Sequence, residues 1–321
     1  MKFAVQVSLT LTASLILWPA LSMAQVQPKN DACEPIGRIL KTNQQNLVGK
    51  LLCNGDQIVS QIKGGMVLCY FSGSEQPCQP KKQTRNSRKK CPLSSRSFCK
   101  RIKGGQGSGE TPRIITPYGR WLLETRPSFT WLAVPGATKY QLEVADQEKG
   151  LWSITTTSTS AAYPTEQAPL SSENHYKVSV VAYRNDVPIV ADSSIFRLLD
   201  SAKTRRLQQT IQLIRRLNLD PDQEAYLDLN AAYLDEGLLN QSIKALRDRV
   251  QSGSNHPEIF RVLAERYIDA KLLSEARKQY LKAKQLAKAQ GNQIALKKAT
   301  EGLQALDRYQ SQLPERKNEA Q

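Results

Sequence analysis

At 321 residues and 35.9 kDa the chain is long enough for two or three domains, each with its own core. Its net charge of +16 is uneven: residues 25–110 contribute +10, residues 111–200 are near neutral, and residues 201–321 contribute +6. The two histidines, His175 and His256, lie far apart, and no Gly-x-Ser-x-Gly, helical metal-ligand pair or phosphate-cradling glycine loop occurs, so an enzyme is not expected.

Residues 1–24 open with Met1-Lys2, run through an apolar stretch from Phe3 to Trp18 and end in Ser22-Met23-Ala24. This order is that of a secretory signal peptide, with cleavage expected before Gln25. The competing reading, an uncleaved anchor, has against it a run short for a span and interrupted by Ser8, Thr10 and Thr12. A soluble periplasmic or secreted protein is expected. The cysteines agree with export: Cys33, Cys53, Cys69, Cys78, Cys91 and Cys99 all fall in the basic N-terminal region. An even number confined there points to disulfides whose pairing stays open. Zinc is the competing use, but there is no Cys-x-x-Cys and neither histidine is near; no metal or cofactor is expected.

Residues 25–80 read as short strands. Ile36–Leu40 and Leu47–Cys53 precede the turn Asn54-Gly55-Asp56, and Gln57–Ile62 and Met66–Phe71 flank Gly64-Gly65. The stretch Leu47-Val48-Gly49-Lys50-Leu51-Leu52-Cys53-Asn54-Gly55-Asp56-Gln57-Ile58 resembles the G-x-x-L-x-x-G-D-x-I stretch of FecR-like β domains. A generic small disulfide-bonded β fold accounts for these residues equally well. Residues 81–110 differ in kind: Lys81–Lys103 holds ten basic residues and no acidic one, and Gly104–Gly109 follows. Such a composition buries no core and predicts a solvated linker. Its sharper alternative is an anionic-surface site, with Lys81, Lys82, Arg88, Lys89, Lys90, Lys100, Arg101 and Lys103 facing membrane phospholipid, lipopolysaccharide or cell-wall polymer. The run has one aromatic residue, Phe98, for stacking, so nucleic acid is not expected.

Residues 111–200 carry the clearest β signal. Pro127-Ser128-Phe129-Thr130-Trp131 and Lys139–Val144 alternate around the turn Val134-Pro135-Gly136-Ala137, and Leu151–Tyr163, Tyr176–Tyr183 and Ser194–Leu198 follow. This predicts an antiparallel sandwich. The run from Pro127 to Val144 resembles the early strands of fibronectin type III-like domains. That resemblance implies that Trp131 packs beneath Tyr140 and that Tyr176 opens a late strand.

From residue 201 the period becomes helical, with Leu207, Ile211, Ile214 and Leu217 on one face and Asp220-Pro221 as a helix start. Residues 223–250 laid on 257–284 match at seven positions with an offset of 34, among them Leu229/Leu263, Tyr233/Tyr267 and Leu238/Leu272. That period and those residue types resemble the tetratricopeptide repeat. Small Ser242 and Ala276 let paired helices approach, and Leu246 or Tyr280 fills the space below. Three positions depart from the pattern: Asn230 stands where Ala264 is small, Lys271 where Gly237 eases a turn, and Arg249 where Ala283 is small. Helices near 202–217 and 292–309 are expected to cap the pair. The resemblance implies a partner groove lined by Leu227, Ala231, Leu234 and Asp235 in the first copy and Arg261, Glu265, Ile268 and Asp269 in the second. The bland alternative is a unit that packs only against its own caps or the sandwich. Asn240-Gln241-Ser242 matches a glycosylation pattern within the helical hairpin and reads as coincidence.

The expectation is therefore a multidomain chain. It has a signal peptide (1–24), an all-β disulfide-bearing region (25–80), a basic linker (81–110), an antiparallel β-sandwich (111–200), an all-α repeat unit (201–310) and a tail (311–321). Functionally it reads as an exported adaptor for a protein partner, or alternatively as an envelope protein holding anionic lipid or cell-wall polymer through its basic region.

Overall fold

Short apolar runs in the first part of the chain, too short for helices, pair as strands at Pro35–Lys41, Leu51–Cys53 and Met66–Cys69, while the expected strand Gln57–Ile62 lies outside the described residues. The computed structural model describes residues 35–53, 56, 65–70, 111–146 and 149–311, all within one compact unit, Glu34–Gln321. The proposed signal peptide, the basic run 81–103, the tail beyond 311 and Cys33, Cys78, Cys91 and Cys99 lie outside the described residues. The order is β structure followed by helices, as the periodicity predicts.

The N-terminal sheet is antiparallel, with β1 (Pro35–Lys41) between β2 (Leu51–Cys53) and β3 (Met66–Cys69). Ile36, Ile39 and Leu52 form a small core of their own. Leu40 and Leu68 instead join Leu207, Ile214, Ala231 and Ala232 of the helical part. Cys53 and Cys69 are both disulfide-bonded. They pair with Pro35 and Gly37 from opposite sides of β1. Two strand spacings of about 5 Å each exceed the reach of one bridge, so they are not each other's partner.

The middle of the chain folds into two sheets around one core. A three-stranded sheet orders β4 (Ile114–Thr116), β6 (Ser128–Trp131) and β9 (Ser160–Ala162). The five-stranded sheet orders β5 (Trp121–Leu122), β11 (Val187–Leu198), β10 (His175–Arg184), β7 (Lys139–Asp146) and β8 (Lys149–Thr156). Phe129 and Trp131 of one sheet meet Tyr140, Leu142, Val178 and Phe196 of the other. The Trp131 and Tyr140 rings lie edge to face at 5.7 Å, and the Tyr140 hydroxyl accepts from the Val134 amide at 2.8 Å. Tyr176 is the second residue of β10; its hydroxyl donates to the Ser171 carbonyl at 3.1 Å and accepts from the Ser171 amide at 2.7 Å. These two bonds tie the start of β10 back to the chain five residues upstream.

Six helices follow. α1 (Ser201–Arg216) is capped by Asp200, whose side chain accepts from the Lys203 amide. α2 begins at Pro221–Gln223, widens to π geometry over Glu224–Leu229 and ends as Asn230–Asp235. Asp220 caps it, accepting from the Asp222 and Gln223 amides. α3 (Leu239–Gln251), α4 (Pro257–Asp269), α5 (Leu273–Ala289) and α6 (Gln293–Ser311) complete the chain.

The α2–α3 and α4–α5 turns repeat at the predicted offset. Gly237 and Lys271 both have positive φ, 72° and 62°. The Leu238 amide donates to the Tyr233 carbonyl as Leu272 does to Tyr267, and Gly237 donates to Leu234 as Lys271 does to Ile268. The match breaks upstream: Asp220 precedes Gly237 by 17 residues, whereas the cap His256 precedes Lys271 by 15. The longer helix takes up its surplus where the turns widen, as π segments do.

Candidate functional site

The widened part of α2 carries the least expected group in the molecule, a carboxylate fully enclosed by protein. Asp228 is 0% exposed, and Arg38, from the middle of β1, is 3% exposed. The Arg38 Nε donates to Asp228 Oδ1 at 2.8 Å, and the Tyr70 hydroxyl, just past β3, donates to the same oxygen at 2.8 Å. Arg38 Nη1 donates to the Gly49 carbonyl at 2.8 Å, while Arg38 Nη2 and Asp228 Oδ2 have no hydrogen-bond partner. Burial pushes the Asp228 carboxyl up against the pull of Arg38 and Tyr70. Burial and the Asp228 charge drive the Tyr70 phenol far above its ordinary value. For Arg38, burial pulls downward, but the Asp228 hydrogen bond and charge prevail and the guanidinium is raised. A protonated guanidinium, a phenol and a carboxylate held this way form a clamp between sheet and helix, since the arrangement stabilises charge and activates no nucleophile.

A second polar set joins the helices. Asn230 Oδ1 accepts from Ser242 Oγ at 2.8 Å on α3 and from Arg266 Nη1 at 3.0 Å on α4. This explains why a small residue is replaced here: the amide fills the space and bonds both neighbours. Arg249, the other polar departure, donates from Nε to Asp222 Oδ1 at 2.8 Å, tying the end of α3 to the start of α2. On α4, Arg261 pairs with Glu258 at 2.7 Å and with Glu265, and Arg266 pairs with Asp269 at 3.1 Å. Burial raises the Glu265 carboxyl, while for Glu258 the nearby Arg261 overcomes burial and the carboxyl falls below its ordinary value.

The sandwich also grips the helices. Tyr118 is buried in the helical core, and its amide donates to Asn240 Oδ1 at 3.4 Å. Gln241 Nε2 donates to Glu124 at 2.6 Å, and Arg113 Nη1 to the Lys271 carbonyl at 3.1 Å. Gly237 has room for no side chain, because a Cβ there would lie 2.9 Å from the Trp121 ring.

The eight residues expected to line a groove do not form one open face. Ile268 is fully buried, and Ala231 is buried beside Leu40, Leu68 and Leu207, because the N-terminal sheet and α1 cover that side of α2. Leu227 and Leu234 are half-buried, Asp235 is exposed, and Arg261, Glu265 and Asp269 are half-buried within ion pairs. The eight basic residues proposed for an anionic surface lie outside the described residues. Sequence reading missed Arg38, Tyr70 and Asp228, whose separation along the chain leaves no local signal. Among the described residues no group of three or more His, Cys, Asp or Glu is placed to hold a metal ion, and no helix is long and apolar enough to cross a membrane. No protein-family model matches the chain, and no curated protein matches its sequence.

Proposed function

We propose that the chain is an exported adaptor that holds a protein partner on its tetratricopeptide-like helical unit, with the fibronectin-like sandwich and the N-terminal sheet bracing that unit. The observation that carries this reading is the repetition of one helix-turn-helix backbone at an offset of 34, with matched positive φ and matched turn hydrogen bonds at Gly237 and Lys271. A hairpin repeated in this way stacks into an array, and stacked arrays offer broad surfaces to protein partners. Of the expected contact residues, Leu227, Leu234, Asp235, Arg261, Glu265 and Asp269 keep some exposure and are the ones assigned here; Ala231 and Ile268 are withdrawn. Catalysis forms no part of the proposal.

The test uses the full mature chain, because α1, α2 and the N-terminal sheet share one core. A photo-crosslinking residue at Asp235 should yield a discrete protein adduct from envelope extract, and Leu227→Glu should suppress it. Equal adducts from Asp235 and from the exposed Glu173 on the sandwich would sink the reading.

A further inference from the structure

We propose that the exposed face of α5 docks on an anionic lipid bilayer, an inference independent of the adaptor reading. Between Glu275 and Glu301 the chain carries seven Lys or Arg residues and no acidic one. Elsewhere in the helical part the cations of Arg249, Arg261 and Arg266 are matched by carboxylates. On α5 only the N-terminal turns are balanced, where Arg277 pairs with Asp307 of α6 and Lys278 bonds Glu275 at 2.8 Å. Lys282, Lys284 and Lys288 are exposed and make no ion pair among the described residues. Two like-charge pairs, Lys278/Lys282 and Lys284/Lys288, stand four residues apart, a spacing that destabilises a helix unless negative charge comes from outside.

The face is not purely cationic. Leu281, 52% exposed, sits among these lysines, three residues from Lys278 and Lys284 and seven from Lys288, so it shares their side of the helix. The next helix opens with Ile294, 56% exposed, three residues before Lys297. An aliphatic side chain ringed by ammonium groups on long stems suits the bilayer interface: the apolar group enters the acyl boundary while the stems reach back to phosphates. A soluble polyanion would use the lysines alone, and a single-stranded nucleic acid would call for an exposed aromatic, whereas the one aromatic of α5, Tyr280, is buried. α1 holds no acidic residue at all, with Arg205, Arg206, Arg215 and Arg216 exposed, but its outer face carries no exposed large hydrophobic side chain. It therefore serves as the internal control.

The experiment is flotation of the full mature chain with phosphatidylcholine vesicles, with or without one third phosphatidylglycerol. Binding is expected only to the anionic vesicles, and K282Q/K284Q/K288Q should weaken it about 100-fold. Leu281→Gln should weaken vesicle binding about tenfold and leave binding to dextran sulfate unchanged. R205Q/R206Q on α1 should change vesicle binding by less than about threefold. The proposal is overturned if the triple lysine variant stays within about threefold of the parent, since charge elsewhere then carries the binding. It is overturned equally if neutral vesicles bind as well, if the α1 variant loses as much as the triple variant, or if Leu281→Gln has no effect.

Discussion

Asp228→Ala would leave the Arg38 guanidinium enclosed without its counter-charge, and the buried geometry sets the size of the loss. Arg38 and Asp228 are 3% and 0% exposed and 2.8 Å apart, so neither charge can be recovered by water without opening the sheet–helix contact. Removing one member of such a pair costs about 3–5 kcal/mol. Arg38→Met should cost a similar amount, because it strands the carboxylate with only the Tyr70 hydroxyl as donor. The double variant R38M/D228L removes both charges and leaves two lesser deficits, the Tyr70 hydroxyl and the Gly49 carbonyl, at about 1 kcal/mol each. Its cost is therefore about 2 kcal/mol, and the cycle yields a coupling of roughly 4–8 kcal/mol. Urea unfolding of the full chain, followed by tryptophan fluorescence and far-ultraviolet circular dichroism, measures all four corners. Single variants that each cost less than about 1 kcal/mol and add without coupling would refute the clamp.

Gly302→Ala pits helix propensity against packing. Alanine is favoured in a helix by about 1 kcal/mol, but the new Cβ would overlap the buried Tyr280 ring, and overpacking costs about 1–3 kcal/mol. Net destabilisation is expected in thermal unfolding, and a gain in stability would contradict the close α5–α6 contact. Lys271→Gly relieves a left-handed backbone at φ 62°, and should stabilise by about 0.5–1 kcal/mol in the same assay. The same change in the opposite sense, Gly237→Ala, should destabilise, since it meets the Trp121 ring. The buried phenols predict an alkaline limit. Burial pushes Tyr226 up to about 12 and raises Tyr70 and Tyr280 further. The folded state thus keeps protons that the unfolded chain releases near pH ~10. Stability is full below that pH and falls as pH rises toward 12, so part of the tyrosinate absorbance should appear only together with unfolding.

Much of the local structure could be read from spacing. Strand alternation around Phe129-Thr130-Trp131 and Lys139–Val144 depends on a period of two, and the capping of Asp220-Pro221 depends on adjacent residues. Both are properties of short windows. The offset of 34 likewise located two turns whose backbones agree in detail. The residues that broke the pattern, Asn230, Arg249 and Lys271, could be picked out but not explained from the sequence. The partners of Asn230 and Arg249, which are Arg266 and Asp222, come from other elements.

The widening of α2 and the cover on its flank were illegible for the same reason. Arg38 meets Asp228 across 190 residues, and nothing in either neighbourhood marks them as a pair. The sequence by itself determined the order of β structure and helices and several of their segments, because periodicity and caps act within a few residues. It did not set their bounds, since β2 is only Leu51–Cys53 and β11 runs back to Val187. Only the tertiary structure decided which helical positions stay open to a partner, because burial depends on what segments distant along the chain bring to the same place.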